Sequence, residues 1–129
     1  MNFPDNLKYT EEHEWIRVEG DHAYVGITDY AQDQLGELVY IEVDTVGETL
    51  DQNEVFGTVE AVKTTSDLFM PVSGEIVEFN PTLDENEGDD PTAVNIDPYG
   101  DGWIVKIRLT KPEEVEDLMD HTAYQAVTE

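Results

Sequence analysis

The sequence predicts a mainly β fold, a small sandwich or barrel with helices only at its edges. Three observations carry this: many short apolar-alternating runs, glycine-bearing turns between them, and helix signals confined to brief stretches. At 129 residues the chain has the length of one domain, so residues 1–129 are expected to form a single unit with one core.

Trp15 to Val18 and Ala23 to Ile27 alternate as strands and are joined by Glu19-Gly20-Asp21-His22, a glycine-containing hairpin turn. Thr28-Asp29 can cap a short helix that runs through Leu35 and stops at Gly36. Leu38 to Val43 is β-rich, and Val46-Gly47-Glu48 marks the next turn. Val55 to Val62 and Leu68 to Val72 are predicted strands flanking a polar stretch, Lys63-Thr64-Thr65-Ser66-Asp67. Gly74 punctuates before a strand over Glu75 to Phe79, and the acidic run at 84–90 is a loop. After the dense turn at Asp97-Pro98-Tyr99-Gly100-Asp101-Gly102, the alternation predicts Trp103, Val105, Ile107 and Leu109 on one face of a strand. Ile104, Lys106 and Arg108 fall on the other. Thr110-Lys111-Pro112-Glu113 has the form of a capping box opening a helix to about Met119, and Tyr124 and Val127 pack a last helical turn. Gly57 and Gly74 each interrupt an apolar strand in a similar setting, a weak internal echo of two related half-sheets.

Composition narrows the function. The chain has 31 Asp plus Glu against 6 Lys plus Arg, a net charge of −25. That field repels nucleic acid and anionic membranes, so neither is an expected partner, and it favours a monomer. Spread acid suits a hydrated surface in high salt, which predicts a halophilic source. There is no cysteine, which excludes disulfides, thiolate catalysis and Cys-ligated metals. The three histidines His13, His22 and His121 lack ligand spacing and are read as structural or surface residues, so no metal is expected. Trp15 and Trp103 are read as core or core-edge aromatics. The first residues lack the pattern of a signal or transit peptide and no run has membrane-span length, so a cytoplasmic location is expected.

Lys63 is the only cation between Arg17 and Lys106. A lone lysine beside a hairpin turn is commonly a solvated charge or a guard against edge pairing. A primary amine on a four-carbon stem is also the side chain most open to acylation, and a turn tip would let an acylated arm sweep through solvent. The neighbours bear on this choice. Glu60-Ala61-Val62-Lys63-Thr64-Thr65-Ser66-Asp67 continuing through Gly74-Glu75 resembles the lipoylation segment of the glycine cleavage system H proteins. Lys8-Tyr9-Thr10 with His13-Glu14-Trp15 resembles that family's opening, and Val25 to Gln32 with Leu35-Gly36-Glu37 its next block. Asn95, Asp97-Pro98-Tyr99-Gly100 and Gly102-Trp103 resemble its late turn, and Tyr124 stands where the family ends in a tyrosine-bearing helix. The blocks follow in order over nearly the whole chain. Ala61 replaces a common Ser, and Thr64 and Thr65 replace frequent alanines, without removing a reactive group.

The resemblance implies a barrel-sandwich hybrid of the lipoyl/biotinyl-carrier type with short peripheral helices and a C-terminal helix. It implies a carrier rather than an enzyme, with lipoate joined to Lys63 as lipoyllysine, which takes the net charge to 5 − 31 = −26. The implied partners are a pyridoxal-phosphate glycine decarboxylase, an aminomethyltransferase using tetrahydrofolate, and dihydrolipoamide dehydrogenase. A lipoate ligase or lipoyltransferase would load the lysine. The aminomethyl group of glycine would pass from the first partner to the second, and the third would reoxidise the dithiol. Glu60 and Gly74 are implied recognition features for the lipoylating enzyme, although Gly74 can equally be a turn glycine with positive φ. Glu14 and Asp67 are candidates for docking the loaded arm, or else ordinary surface carboxylates. Alternatives are a lipoyl carrier or lipoate relay for 2-oxoacid dehydrogenase complexes, and an unmodified acidic interaction module. A biotin carrier would place methionines where Val62 and Thr64 stand, and no carboxylate spacing supports a stand-alone hydrolase.

Overall fold

Alternating apolar residues and tight turns lay the chain out as two antiparallel sheets, seen in a computed structural model that describes residues 1–128. In chain order the elements are β1 (Lys8–Tyr9), β2 (Glu14–Glu19), β3 (His22–Ile27), α1 (Asp29–Leu35), β4 (Leu38–Glu42), β5 (Thr49–Leu50) and β6 (Val55–Ala61). They continue with β7 (Thr65–Phe69), β8 (Gly74–Phe79), α2 (Ala93–Ile96), β9 (Val105–Leu109), a 3₁₀ segment (Pro112–Asp117) and α3 (His121–Thr128). The larger sheet has the order β1-β2-β3-β9-β8-β5, and the smaller has β4-β6-β7. This is the mainly β architecture with edge helices that the sequence predicts.

The main core lies between the sheets. Ile16, Val25, Ile41, Phe56, Val59 and Ile76 are among its buried side chains, and full burial of such a chain contributes about 1.5–3 kcal/mol. A second cluster of Leu7, Tyr9, Trp15 and Tyr124 fixes α3 against the start of the chain. The Tyr9 and Tyr124 rings stack with centroids 4.7 Å apart and planes 7° from parallel. Gly26, opposite Trp15 in the β2–β3 ladder, makes room for the indole: a Cβ there would lie 2.8 Å from it. The indole N–H then donates to the Pro98 carbonyl at 3.0 Å.

The α1 signals act as predicted. Thr28 Oγ1 accepts from Ala31 N at 3.1 Å, and Gly36 ends the helix at φ 82°, a region open chiefly to glycine. Other expectations need correction. Thr110 does not open a capping box: the segment is 3₁₀, and Glu114 accepts from Ser73 N at 2.7 Å instead of closing back on its own turn. Ile104 is buried, not on the face of Lys106 and Arg108, and Trp103 packs edge-on against Tyr24 on the outer face. The alternation fails there because the strand starts only at Val105, and the Trp103 carbonyl accepts from the Asn80 side-chain amide at 2.7 Å. Gly74 is not a turn residue with positive φ; it is buried inside β8, where a Cβ would stand 2.7 Å from Arg108 O. Gly57 has the matching constraint in the other sheet, its Cβ position lying 2.5 Å from Glu42 O. The echo in the sequence thus marks two close strand approaches, one per sheet.

Candidate functional site

The smaller sheet puts Lys63 at the tip of its β6–β7 hairpin. Glu60 and Thr65 are the last paired residues, and Ala61 N donates to Thr64 O at 2.7 Å to close the turn. The turn is shorter than the polar stretch suggested, because Thr65, Ser66 and Asp67 belong to β7. Pairing claims them since Ser66 and Asp67 face Val59 and Thr58 across the ladder. The Lys63 side chain is exposed and passes over Gly36, where a Cβ would come within 3.6 Å of its Cε.

The tip rests on a fixed platform. Val62 N donates to Glu37 O at 3.1 Å, tying the turn to the segment after α1. The Asn95 amide then holds that segment from the other side. Its Nδ2 donates to Gly36 O at 2.9 Å and to Gln32 Oε1 at 3.0 Å, and its Oδ1 accepts from Leu38 N at 3.0 Å. Asn95 appeared in the sequence only as part of a turn; its bracing role needs the tertiary contact of α1 and α2.

A cleft of about 310 Å³ opens between α1 and the foot of the hairpin, and both Glu14 and Asp67 line it. Asp67 is exposed on β7. Glu14 is only 2 % exposed, and its Oε1 accepts from Thr10 Oγ1 at 2.8 Å while Oε2 accepts from Phe69 N at 3.3 Å. Burial pushes its carboxyl up to about 8; those two hydrogen bonds pull the other way, and the Glu12 charge adds to the rise. Burial thus favours the protonated form of the Glu14 carboxyl.

Glu12, His13, Tyr30, Gln34 and Ser66 complete the polar wall, and the sequence names none of them as a candidate site residue. His13 takes a left-handed backbone, φ 69°, and its Nδ1 lies 2.8 Å from the Tyr124 hydroxyl, which also lies 2.7 Å from Thr28 Oγ1. Burial lowers the His13 pKa against the opposing pull of Glu12. A positive φ at a histidine leaves no signal in composition or alternation. Glu60, exposed, shares the Lys63 hairpin and faces Tyr40 and Thr65. The structure brings Glu14 and Asp67 together, keeps Glu60 beside Lys63, and sets Gly74 on the other sheet.

A model of the family described as "Glycine cleavage H-protein" matches residues 7–129. The chain belongs to the glycine cleavage H-protein family. It is 61 % identical over 127 residues to the glycine cleavage system H protein of Bacteroides thetaiotaomicron, spanning 98 % of each chain. The corresponding protein of Symbiobacterium thermophilum is 54 % identical, with 98 % of this chain and 96 % of that one covered. The crystal structure of a glycine cleavage system H protein from Mycobacterium marinum superposes with a TM-score of 0.84 at 39 % identity, covering 96 % and 97 % of the two chains. Membership places the chain in the glycine cleavage system as a carrier subunit rather than a catalyst, as the sequence resemblance implied. These relatives give no support to the halophilic origin expected from charge.

Proposed function

We propose that the chain acts as one lipoyl-carrier domain whose Lys63 bears lipoate as an amide, and that it moves the aminomethyl group of glycine between the enzymes of the cleavage system. The observation that carries the proposal is the pairing of an exposed amine at a braced hairpin tip with a cleft at the same hairpin's foot that holds a buried carboxyl. The fit is chemical: among the described residues no ion pair engages the Lys63 amine, and its Cε and Nζ lie 3.6 and 3.9 Å from where a Cβ on Gly36 would stand. Bound there, lipoate would supply the dithiolane chemistry that a chain without cysteine lacks.

The protein's own residues then do three things. Asn95 and Glu37 hold the base of the arm through backbone contacts with Gly36, Leu38 and Val62. Glu14 and Asp67 offer the cleft two carboxyls for an amine-bearing cargo, with Glu14 giving up its proton as the cation enters. Ile27, Leu35, Val59 and Leu68 form the cleft's apolar wall, which limits water at the cargo. Glu60 serves the lipoylating enzyme directly from the hairpin. Gly74 serves it through the close β8–β9 approach that shapes the larger sheet.

The partners in this proposal are a pyridoxal-phosphate glycine decarboxylase, a tetrahydrofolate-dependent aminomethyltransferase, dihydrolipoamide dehydrogenase, and a lipoate ligase or lipoyltransferase. A cytoplasmic monomer is proposed with them, and no described helix is long and apolar enough to cross a membrane. Loading by purified decarboxylase and glycine tests the proposal. The lipoylated chain should take up label from glycine and Lys63→Arg should not; equal labelling of both would overturn the assignment.

A further inference from the structure

Thr10 stands in the wall between two concavities. Glu14 lines the cleft beside α1, Thr10 lines a separate hollow of about 220 Å³ with Gln52, Asn53 and Leu118, and Glu12 borders both. The turn from β1 to β2 folds Thr10 back against Glu14. Thr10 N donates to Glu14 O at 3.0 Å and His13 N to Thr10 O at 3.1 Å, which closes the turn through the backbone. The Thr10 hydroxyl then holds Glu14 at two points. It accepts from Glu14 N at 3.1 Å and donates to Glu14 Oε1 at 2.8 Å. With Phe69 N on Oε2, each carboxyl oxygen has one fixed donor. An ionised carboxylate offers about four acceptor positions, so capacity for a cargo amine is left over.

Charge on this carboxyl has little other support. The titratable groups that face it are Glu12 and His13 from its own turn, Asp67 from β7, Tyr30 from α1 and Tyr124 from α3. No lysine or arginine among the described residues lines the cleft. Burial and the Glu12 charge oppose ionisation, whereas the bonds from Thr10 and Phe69 favour it. The Phe69 donor is a backbone group, which leaves Thr10 as the side chain that favours the charged form. Resting on the reading of Glu14 as the carboxyl that meets an amine-bearing cargo, we propose that Thr10 is a positioning residue of the carrier, whose hydroxyl aims the Glu14 carboxyl and holds it ionised against an ammonium cargo, with the acid's proton passing to solvent. A hydroxyl suits both states of Glu14, because it can accept from the protonated acid and donate to the ionised one. The bond to the ionised form is roughly twice as strong, so its net effect favours ionisation. Branching at Cβ adds to this by restricting χ1 and hence the direction of the hydroxyl.

The test begins on the full-length chain without lipoate, with the glutamate carboxyls labelled with carbon-13 and the Glu14 resonance followed against pH. Thr10→Val and Thr10→Ala both remove the hydroxyl, and each should weaken the Glu14 acid about tenfold. Thr10→Ser keeps the hydroxyl and should restore the parental midpoint, a pattern that a merely structural threonine would not give. The same chains are then lipoylated and loaded from labelled glycine by the decarboxylase. Thr10→Val and Thr10→Ala should lose label about tenfold faster than the parent near neutral pH, with serine again restoring retention. An unmoved Glu14 midpoint in both Thr10→Val and Thr10→Ala would overturn the role of Thr10. A moved midpoint with parental retention of label would overturn the use of Glu14 toward the cargo and the inference with it. A parent chain that takes no label would instead overturn the carrier assignment itself.

Discussion

Glu14 Oε2 accepts a hydrogen bond from the Phe69 backbone N–H at 3.3 Å, joining the larger sheet to the foot of the Lys63 hairpin. The contact binds the Lys63 hairpin to the cleft beneath it, and its strength depends on the charge of a buried carboxyl.

That dependence has a sign. The Glu14 pKa rises from an ordinary 4.5 to about 8 on folding, chiefly through burial. The folded state therefore holds a proton that the unfolded chain releases, and this favours folding fully below pH 4.5. The contribution is lost as pH rises from there through about 8. Urea denaturation of the parent and of Glu14→Gln at a series of pH values should show the parent losing stability relative to the variant across that window. Parallel curves would show that Glu14 is ionised in the folded chain.

The Tyr124 hydroxyl sits between Thr28 Oγ1 at 2.7 Å and His13 Nδ1 at 2.8 Å, and the residue is fully buried. Tyr124→Phe should cost about 1–3 kcal/mol, since it removes two hydrogen bonds, to Thr28 Oγ1 and His13 Nδ1, worth about 0.5–1.5 kcal/mol each. Thermal unfolding measures the cost. The same variant should loosen His13 at the cleft wall, visible as a shift of its ring resonances toward ordinary histidine titration.

Gly57→Ala drives a methyl into the Glu42 carbonyl, 2.5 Å from the Cβ position, and Gly74→Ala does the same against Arg108 O at 2.7 Å. Each should cost about 1–3 kcal/mol through displaced strands. If Gly74 serves loading only through the fold, the folded fraction of Gly74→Ala should show a parental KM for the ligase; a raised KM at full folding would point to direct contact.

The charge predicts salt dependence whatever the source organism. With −25 net charge and two arginine–carboxylate pairs among the described residues, self-repulsion is poorly offset within the fold. Melting temperature should rise as sodium chloride is added through the range where screening grows, and flatten beyond it. A flat melting temperature from dilute buffer upward would show that the acids are spaced too widely to matter.

Much of this was legible in the residues. Thr28 and Gly36 bound α1 as local chemistry required, and the β2–β3 hairpin follows its glycine turn. The Lys63 tip was also readable, because a strand pair with a polar link has few ways to fold. What failed did so where tertiary contacts overrode local pattern. Glu114 left its own helix to bond Ser73, turning an expected α-helix into 3₁₀, and the ladder began one residue after Ile104, which inverted Trp103. Burial of Glu14 in a chain of 31 acids could not be read from spacing, since nothing local separates it from Glu11 or Glu12. The brief α2 and the two-residue strands β1 and β5 exist through their partners, not their sequences.

The most direct test is peptide mapping of protein isolated from lipoate-replete cells. The carrier proposal predicts one lipoyl amide, on Lys63, with Lys8, Lys106 and Lys111 unmodified and none at all in Lys63→Arg. An unmodified Lys63, or lipoate on another lysine, would contradict the carrier assignment.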